Sequence, residues 1–129
     1  MDKYLYLPFY FDEVYEGFAT MEGMIRIDTN AIIFEYQTKD ALLGIVKSDT
    51  KTARIEFSEI VSIDYKKSLF SSKLFIRANI FLGTKGFPNN NANELTLKIK
   101  RNYSDLASEF VSRINLRISE ARLKDIENQ

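Results

Sequence analysis

The residue types that most often carry acid–base, nucleophilic or metal chemistry are missing from this chain or stand apart in it. Its 129 residues include no His and no Cys. Imidazole is the commonest general base and metal ligand, and the usual activator of a nucleophile. Thiolate is a soft ligand and a ready nucleophile in its own right. Carboxylates remain. Asp12 and Glu13 are adjacent, and Glu16 follows closely. Paired acid–base work needs two carboxylates converging on one substrate in environments that push their pKa values apart. This short acidic run offers no such convergence and reads as solvated loop charge. Gly83-Thr84-Lys85-Gly86 lacks both the spacing of a P-loop and the Ser or Thr that follows its Lys. The expectation is a non-catalytic chain with no cofactor and no metal.

Binding is the remaining class of function, and three stretches are candidates. Lys66-Lys67-Ser68-Leu69-Phe70-Ser71-Ser72-Lys73 sets two apolar residues at a tip among three lysines. Such a tip can dip into an anionic membrane, where each Lys contributes roughly 1 kcal/mol. The plainer alternative folds Leu69 and Phe70 back onto a sheet and leaves the lysines in water. Next, Leu116 and Leu123 lie in line on the outer side of a terminal helix, with Ile126 extending the line if the helix runs on. Large apolar side chains gain by leaving water, so this line is a candidate subunit interface, and a homodimer is the commonest such assembly. The alternatives are a scattered exposed pair or a covering segment from the N-terminus. That segment supplies the third candidate. Tyr4, Tyr6, Phe9, Tyr10 and Phe11 are too many aromatics for a free tail, and are expected to pack on the domain or on a neighbouring copy.

Composition narrows the class. A length of 129 residues fits one domain, and 45% hydrophobic with 28% charged residues is too apolar for a disordered chain. Ten Phe and seven Tyr without Trp favour a β-rich core. Eighteen bases balance eighteen acids, which argues against a protein built to grip nucleic acid. The N-terminus lacks the basic region, apolar run and cleavage site of a signal peptide. No stretch approaches the roughly 18 apolar residues of a membrane span. A cytoplasmic protein is the default expectation.

The order of patterns then indicates how these residues are positioned. Short apolar–polar alternating runs fill residues 18–100, and one amphipathic helix follows. Residues 18–28 and 31–37 read as a hairpin across the turn Asp28-Thr29-Asn30. Residues 41–46 suggest a short strand. Residues 53–57 put Ile55 and Phe57 on one face, and residues 60–65 do the same with Val61, Ile63 and Tyr65. Residues 73–78 form another strand and 80–82 a short one. Residues 83–93 make the longest loop. Residues 94–100 turn Leu95, Leu97 and Ile99 inward and Thr96, Lys98 and Lys100 outward. Residues 4–11 read as an extra strand or as an extended arm lying over apolar surface, and Pro8 argues against a central strand there, since it has no N–H for a ladder. The helix starts near Asn102, which can cap it, with Asp105 in the first turn. Leu106, Ala107, Phe110, Val111, Ile114, Ile118 and Ala121 share one face.

A β-rich roll closed by one C-terminal helix resembles the pleckstrin-homology-like (PH-like) fold, and in particular small bacterial PH-like domains related in shape to GRAM domains. The resemblance is carried by Glu22-Gly23-Met24-Ile25-Arg26-Ile27, by Ala31-Ile32-Ile33-Phe34-Glu35, by Ile55 to Ile63 with its break at Ser58-Glu59, and by the last strand running into the helix. Covering roughly residues 17–121, it implies two near-orthogonal antiparallel sheets with the helix capping one open end. The whole chain reads as a single domain over 1–129, with an aromatic arm at 1–16, strands at 17–101 and the capping helix at 102–126. It also raises phosphoinositide binding. In lipid-binding members the first hairpin loop carries several Lys and Arg. Taken as Asp28-Thr29-Asn30, that loop is acidic here, with Arg26 the nearby base, so the lipid site is not carried over. The fold hosts many unrelated functions. The expected role is a protein-interaction or scaffold module whose partner is a protein, a second copy of itself included. It would work through Leu116, Leu123 and an exposed sheet edge. The alternative is peripheral binding to an anionic membrane or lipid headgroup through Lys66, Lys67, Leu69, Phe70 and Lys73. A small-ligand carrier with a cavity inside the roll is a third reading.

Overall fold

The computed structural model describes residues 5–14, 19–40, 49–69, 71–87 and 92–128. Seven strands precede one long helix: β1 Tyr6–Val14, β2 Ala19–Ile27, β3 Ala31–Asp40, β4 Lys51–Glu56, β5 Ile60–Lys66, β6 Ser72–Ala78, β7 Glu94–Ile99 and α1 Ser104–Glu127. All seven belong to one antiparallel sheet in the order β4-β3-β2-β1-β7-β6-β5.

The two edge strands of this sheet, β4 and β5, are consecutive in sequence. Only the 3-10 turn Phe57–Glu59 joins them. Six interstrand spacings of about 4.8 Å would hold the edges of a flat sheet roughly 29 Å apart. The four Cα steps from Glu56 to Ile60 reach about 14 Å at most. The sheet therefore has to curl, and it does so without closing. The link is well tied down. Phe57 N–H donates to the Asn30 carbonyl (2.9 Å), and Asn79 N–H donates to that of Glu59 (2.9 Å). The Glu59 carboxylate accepts from Glu56 N–H at 2.9 Å and pairs with Lys85 at 3.0 Å.

Period-two alternation supplies the interior. Leu7 and Phe9 of β1, Met21 and Ile25 of β2, Ile32 and Phe34 of β3, and Leu95, Leu97 and Ile99 of β7 are buried. The hairpin expected across Asp28-Thr29-Asn30 forms as β2–β3, from Ala19↔Asp40 to Ile27↔Ile32. The segment expected as a strand at 41–46 lies outside the described residues.

Covering the roll is α1, which has no Gly or Pro between Ser104 and Glu127 to break it. Ala107, Phe110, Ile114 and Ile118 are its buried face, and Leu106, Val111 and Ala121 pack beside them. That face seats on β5 and on the 3-10 turn that follows β4. Tyr65 O–H bonds Ser104 Oγ at 3.1 Å, and Arg122 Nη2 donates to the Val61 carbonyl at 3.0 Å, so α1 is fastened near both ends.

Four expectations are corrected. Residues 6–14 are not an arm but a strand at the middle of the sheet. Pro8 is tolerated because β1 pairs along its length with β2, while among the described residues its pairing with β7 is at Tyr10↔Lys98. Pro8 thus stands beside one ladder rather than between two. Val61 faces outward, because the β5–β6 register shifts between Ile60 and Ser62 and a bulge re-aims the side chain. Residues 80–82 are not a strand: Asn79 is held by the β4–β5 link, and Leu82 starts the 3-10 turn Leu82–Lys85. Phe87 then packs inward, edge-on to Phe34 (5.0 Å) and stacked on Tyr36 (6.2 Å). Tyr36 O–H donates to the carbonyl of Gly86 at 2.5 Å, and Gly86 has φ +100°, which favours glycine there. Much of the expected loop is therefore anchored. Finally, Asn102 does not cap α1. The chain first tightens into the 3-10 turn Arg101–Tyr103, where Tyr103 N–H donates to the Lys100 carbonyl (2.9 Å). The helix then begins at Ser104, with Asp105 in its first turn.

Candidate interaction surfaces

The outer line of α1 stands as its periodicity indicates. Leu116, Leu123 and Ile126 are 60%, 56% and 65% exposed, and Ile126 joins the line because the helix runs to Glu127. Residues 6–14 do not cover them, since Leu7 and Phe9 are committed to the core. Edge strand β5 lies against the same helix, and Val61 adds an exposed apolar side chain (44%) where Arg122 meets it. The C-terminal part of α1 and a sheet edge are therefore adjacent.

The second candidate is the β5–β6 tip. It is closed by Ser71 N–H donating to Ser68 Oγ at 3.0 Å. Leu69 projects into water at 74% exposure instead of folding back; Phe70 lies outside the described residues. The Lys66 ammonium sits 5.7 Å from the centroid of the Phe75 ring, a cation–π contact. Lys67 is exposed, and Lys73 is half-buried directly across from Lys66.

The register adds bases that the sequence keeps apart. Lys73 of β6 lies opposite Lys66 on one side and Lys98 of β7 on the other, so three lysines form one cross-strand row. Tyr10 of β1 continues it, with the Lys98 ammonium 6.0 Å from its ring centroid. Just beyond β7, the exposed Lys100 and Arg101 leave the sheet at the same end. Lys98 and Lys100 are readable in sequence as outward residues of a strand; which strand they face is set by pairing alone.

The turn Asp28-Thr29-Asn30 has a different standing from the one expected. In chain order the first hairpin is β1–β2, and its connection at 15–18 lies outside the described residues. The charges around the β2–β3 turn are paired internally, with Arg54 Nη1 3.1 Å from Asp28 and Arg26 Nε 2.9 Å from Glu35. The Thr29 backbone N–H, then Arg54, hold the Asp28 carboxyl below its ordinary range. A folded pKa below the unfolded one means that the unfolded chain takes up the extra proton first, so stability falls as pH drops through that range. Asp28→Asn is expected to flatten this acid limb in a series of thermal melts below about pH 5. Parallel limbs for the two proteins would remove Asp28 from the account.

A cleft of about 300 Å³ opens where β1 parts from β7, bordered by Pro8, Tyr10, Met24, Lys100 and Tyr103. An ion pair lines it, Lys39 Nζ to Glu22 Oε2 at 2.7 Å. Among the described residues, no helix is long and apolar enough to cross a membrane, and no group of three or more acidic side chains is placed to hold a metal ion. Comparison with protein-family models, with curated proteins and with solved structures finds no match to this chain.

Proposed function

We propose that this chain is a non-catalytic, PH-like interaction module that self-associates through the outer face of α1. The observation that carries the reading is the two-sidedness of that helix. One face is buried in the roll, while Leu116, Leu123 and Ile126 stand in water on the other. Covering the roll accounts for the first face and leaves the second unexplained. Fully burying a Leu or Ile side chain is worth about 1.5–3 kcal/mol, and a two-fold interface buries each residue twice. Val61 on the adjoining β5 edge would enlarge the patch. The PH-like part of the reading is supported by strand order: among the described residues, β4-β3-β2-β1 and β7-β6-β5 meet at the pair Tyr10↔Lys98, as two sheets sharing a corner would. The absence of His and Cys favours a binding role, and the cytoplasm is the compartment this reading assigns.

Light scattering on the purified protein tests the assembly. The expected mass is that of a dimer, falling to the monomer in Leu116→Glu/Leu123→Glu; at concentrations low enough for both proteins to be monomers the two melting temperatures should nearly coincide, because both positions are exposed in the single chain. A wild-type monomer at high micromolar concentration overturns the proposal.

A further inference from the structure

The row Lys66–Lys73–Lys98 breaks a local rule of sheet construction. Residues directly opposite on neighbouring strands share a face with close side chains, and like charges there are destabilising. Lys66 and Lys98 gain some compensation from the rings of Phe75 and Tyr10; Lys73 stands between two cations. Among the described residues, no carboxylate pairs with Lys66, Lys67, Lys73, Lys100 or Arg101. A chain with no net charge has thus gathered six bases at one end of its sheet from three separate stretches. Local costs without a local gain mark functional positions.

We propose that this end docks on an anionic lipid bilayer, with Lys66, Lys67, Lys73, Lys100 and Arg101 against the headgroups and Leu69 inserted among them. Leu69 decides between a membrane and other polyanions. A side chain 74% exposed at the apex of a basic hairpin gains by entering a bilayer interface and offers nothing to a phosphate strand. The site is not the first hairpin's connection, which leaves the sheet at the Val14 end of β1, whereas Lys98 and Lys100 lie toward its Pro8 end. Nor does it rest on self-association. The start of α1 is tied to Tyr65 of β5, and Leu116 lies about 18 Å further along the helix.

Flotation of the full chain with vesicles of phosphatidylglycerol and phosphatidylcholine, against phosphatidylcholine alone, is the test. Wild type is expected to float with the anionic vesicles only, and to lose binding as salt rises. Lys73→Glu/Lys100→Glu is expected to lower partitioning about tenfold or more. Lys73→Glu alone is expected to raise the melting temperature while weakening binding, because it turns the repulsive cross-strand pair with Lys66 into an attractive one; a purely structural role for Lys73 would not separate the two readouts. Leu69→Ser should weaken the binding that persists at moderate salt. Leu116→Glu/Leu123→Glu should still bind, which separates this site from the helix interface. Absence of flotation at low salt, equal binding to neutral vesicles, unchanged binding of Lys73→Glu/Lys100→Glu, or tighter binding to a single-stranded oligonucleotide than to the vesicles would each overturn the proposal.

Discussion

Phe110→Ala is expected to remove about 3–5 kcal/mol of folding stability. Domains of this size have about 5–15 kcal/mol in total, so the variant should populate unfolded chains well below the wild-type transition. Phe110 is fully buried on the inner face of α1, within one helical turn of Ala107 and Ile114, which are also fully buried. Truncation loses the transfer energy of the ring and leaves a void at the contact between helix and sheet. The roll cannot collapse readily into it, because α1 is held at Ser104 by Tyr65 and at Arg122 by Val61. Urea unfolding would show a lowered midpoint at unchanged slope. Leu116→Ala, on the outer face, sets the scale and should stay within about 0.5 kcal/mol when both proteins are dilute enough to be monomers. If the two variants lost equal stability, α1 would not be the cover of this core.

Gly23→Ala is expected to be nearly as damaging, at about 3 kcal/mol, although it adds a single methyl group. Gly23 faces Tyr36 across the β2–β3 ladder. A Cβ built there would lie 2.0 Å from the Glu35 carbonyl oxygen and 2.7 Å from the Tyr36 Cα. Both are backbone atoms, so no rotamer change relieves the contact, and the two strands must part locally. Tyr36 also carries the bond to Gly86 and the stack on Phe87 that close the other side of the roll, so the disturbance should spread. Denaturation with near-UV circular dichroism of the tyrosines checks this. A variant as stable as wild type would mean that β3 does not approach β2 so closely.

Gly23 shows where reading a sequence stops. Its neighbours Met24 to Ile27 alternate plainly enough to mark a strand, and the run from Leu95 to Ile99 does so equally. Period two is a local property, written in consecutive residues, and both strands lie where it indicates. The core face of α1 was legible for the same reason, from the spacing of Ala107, Phe110, Ile114 and Ile118, and so was the outward line of Leu116 and Leu123. Pro8 misled because its effect depends on how many ladders flank it, which is a property of the whole sheet. Val61 misled because a bulge shifts the alternation by one residue, and bulges leave no mark in spacing.

The composition and periodicity of this chain were enough to establish a mainly β architecture and a terminal helix with two unlike faces. Each follows from residue types or from neighbours within a turn or two. Tertiary structure decided that the N-terminal segment is the central strand, that β4 and β5 form the two edges of a curled sheet, and that Lys66, Lys73 and Lys98 stand side by side. These are questions of pairing and register between residues far apart in the chain, as Tyr10 and Lys98 are at 88 positions. Pairing energy belongs to the partners jointly, so neither strand discloses it alone.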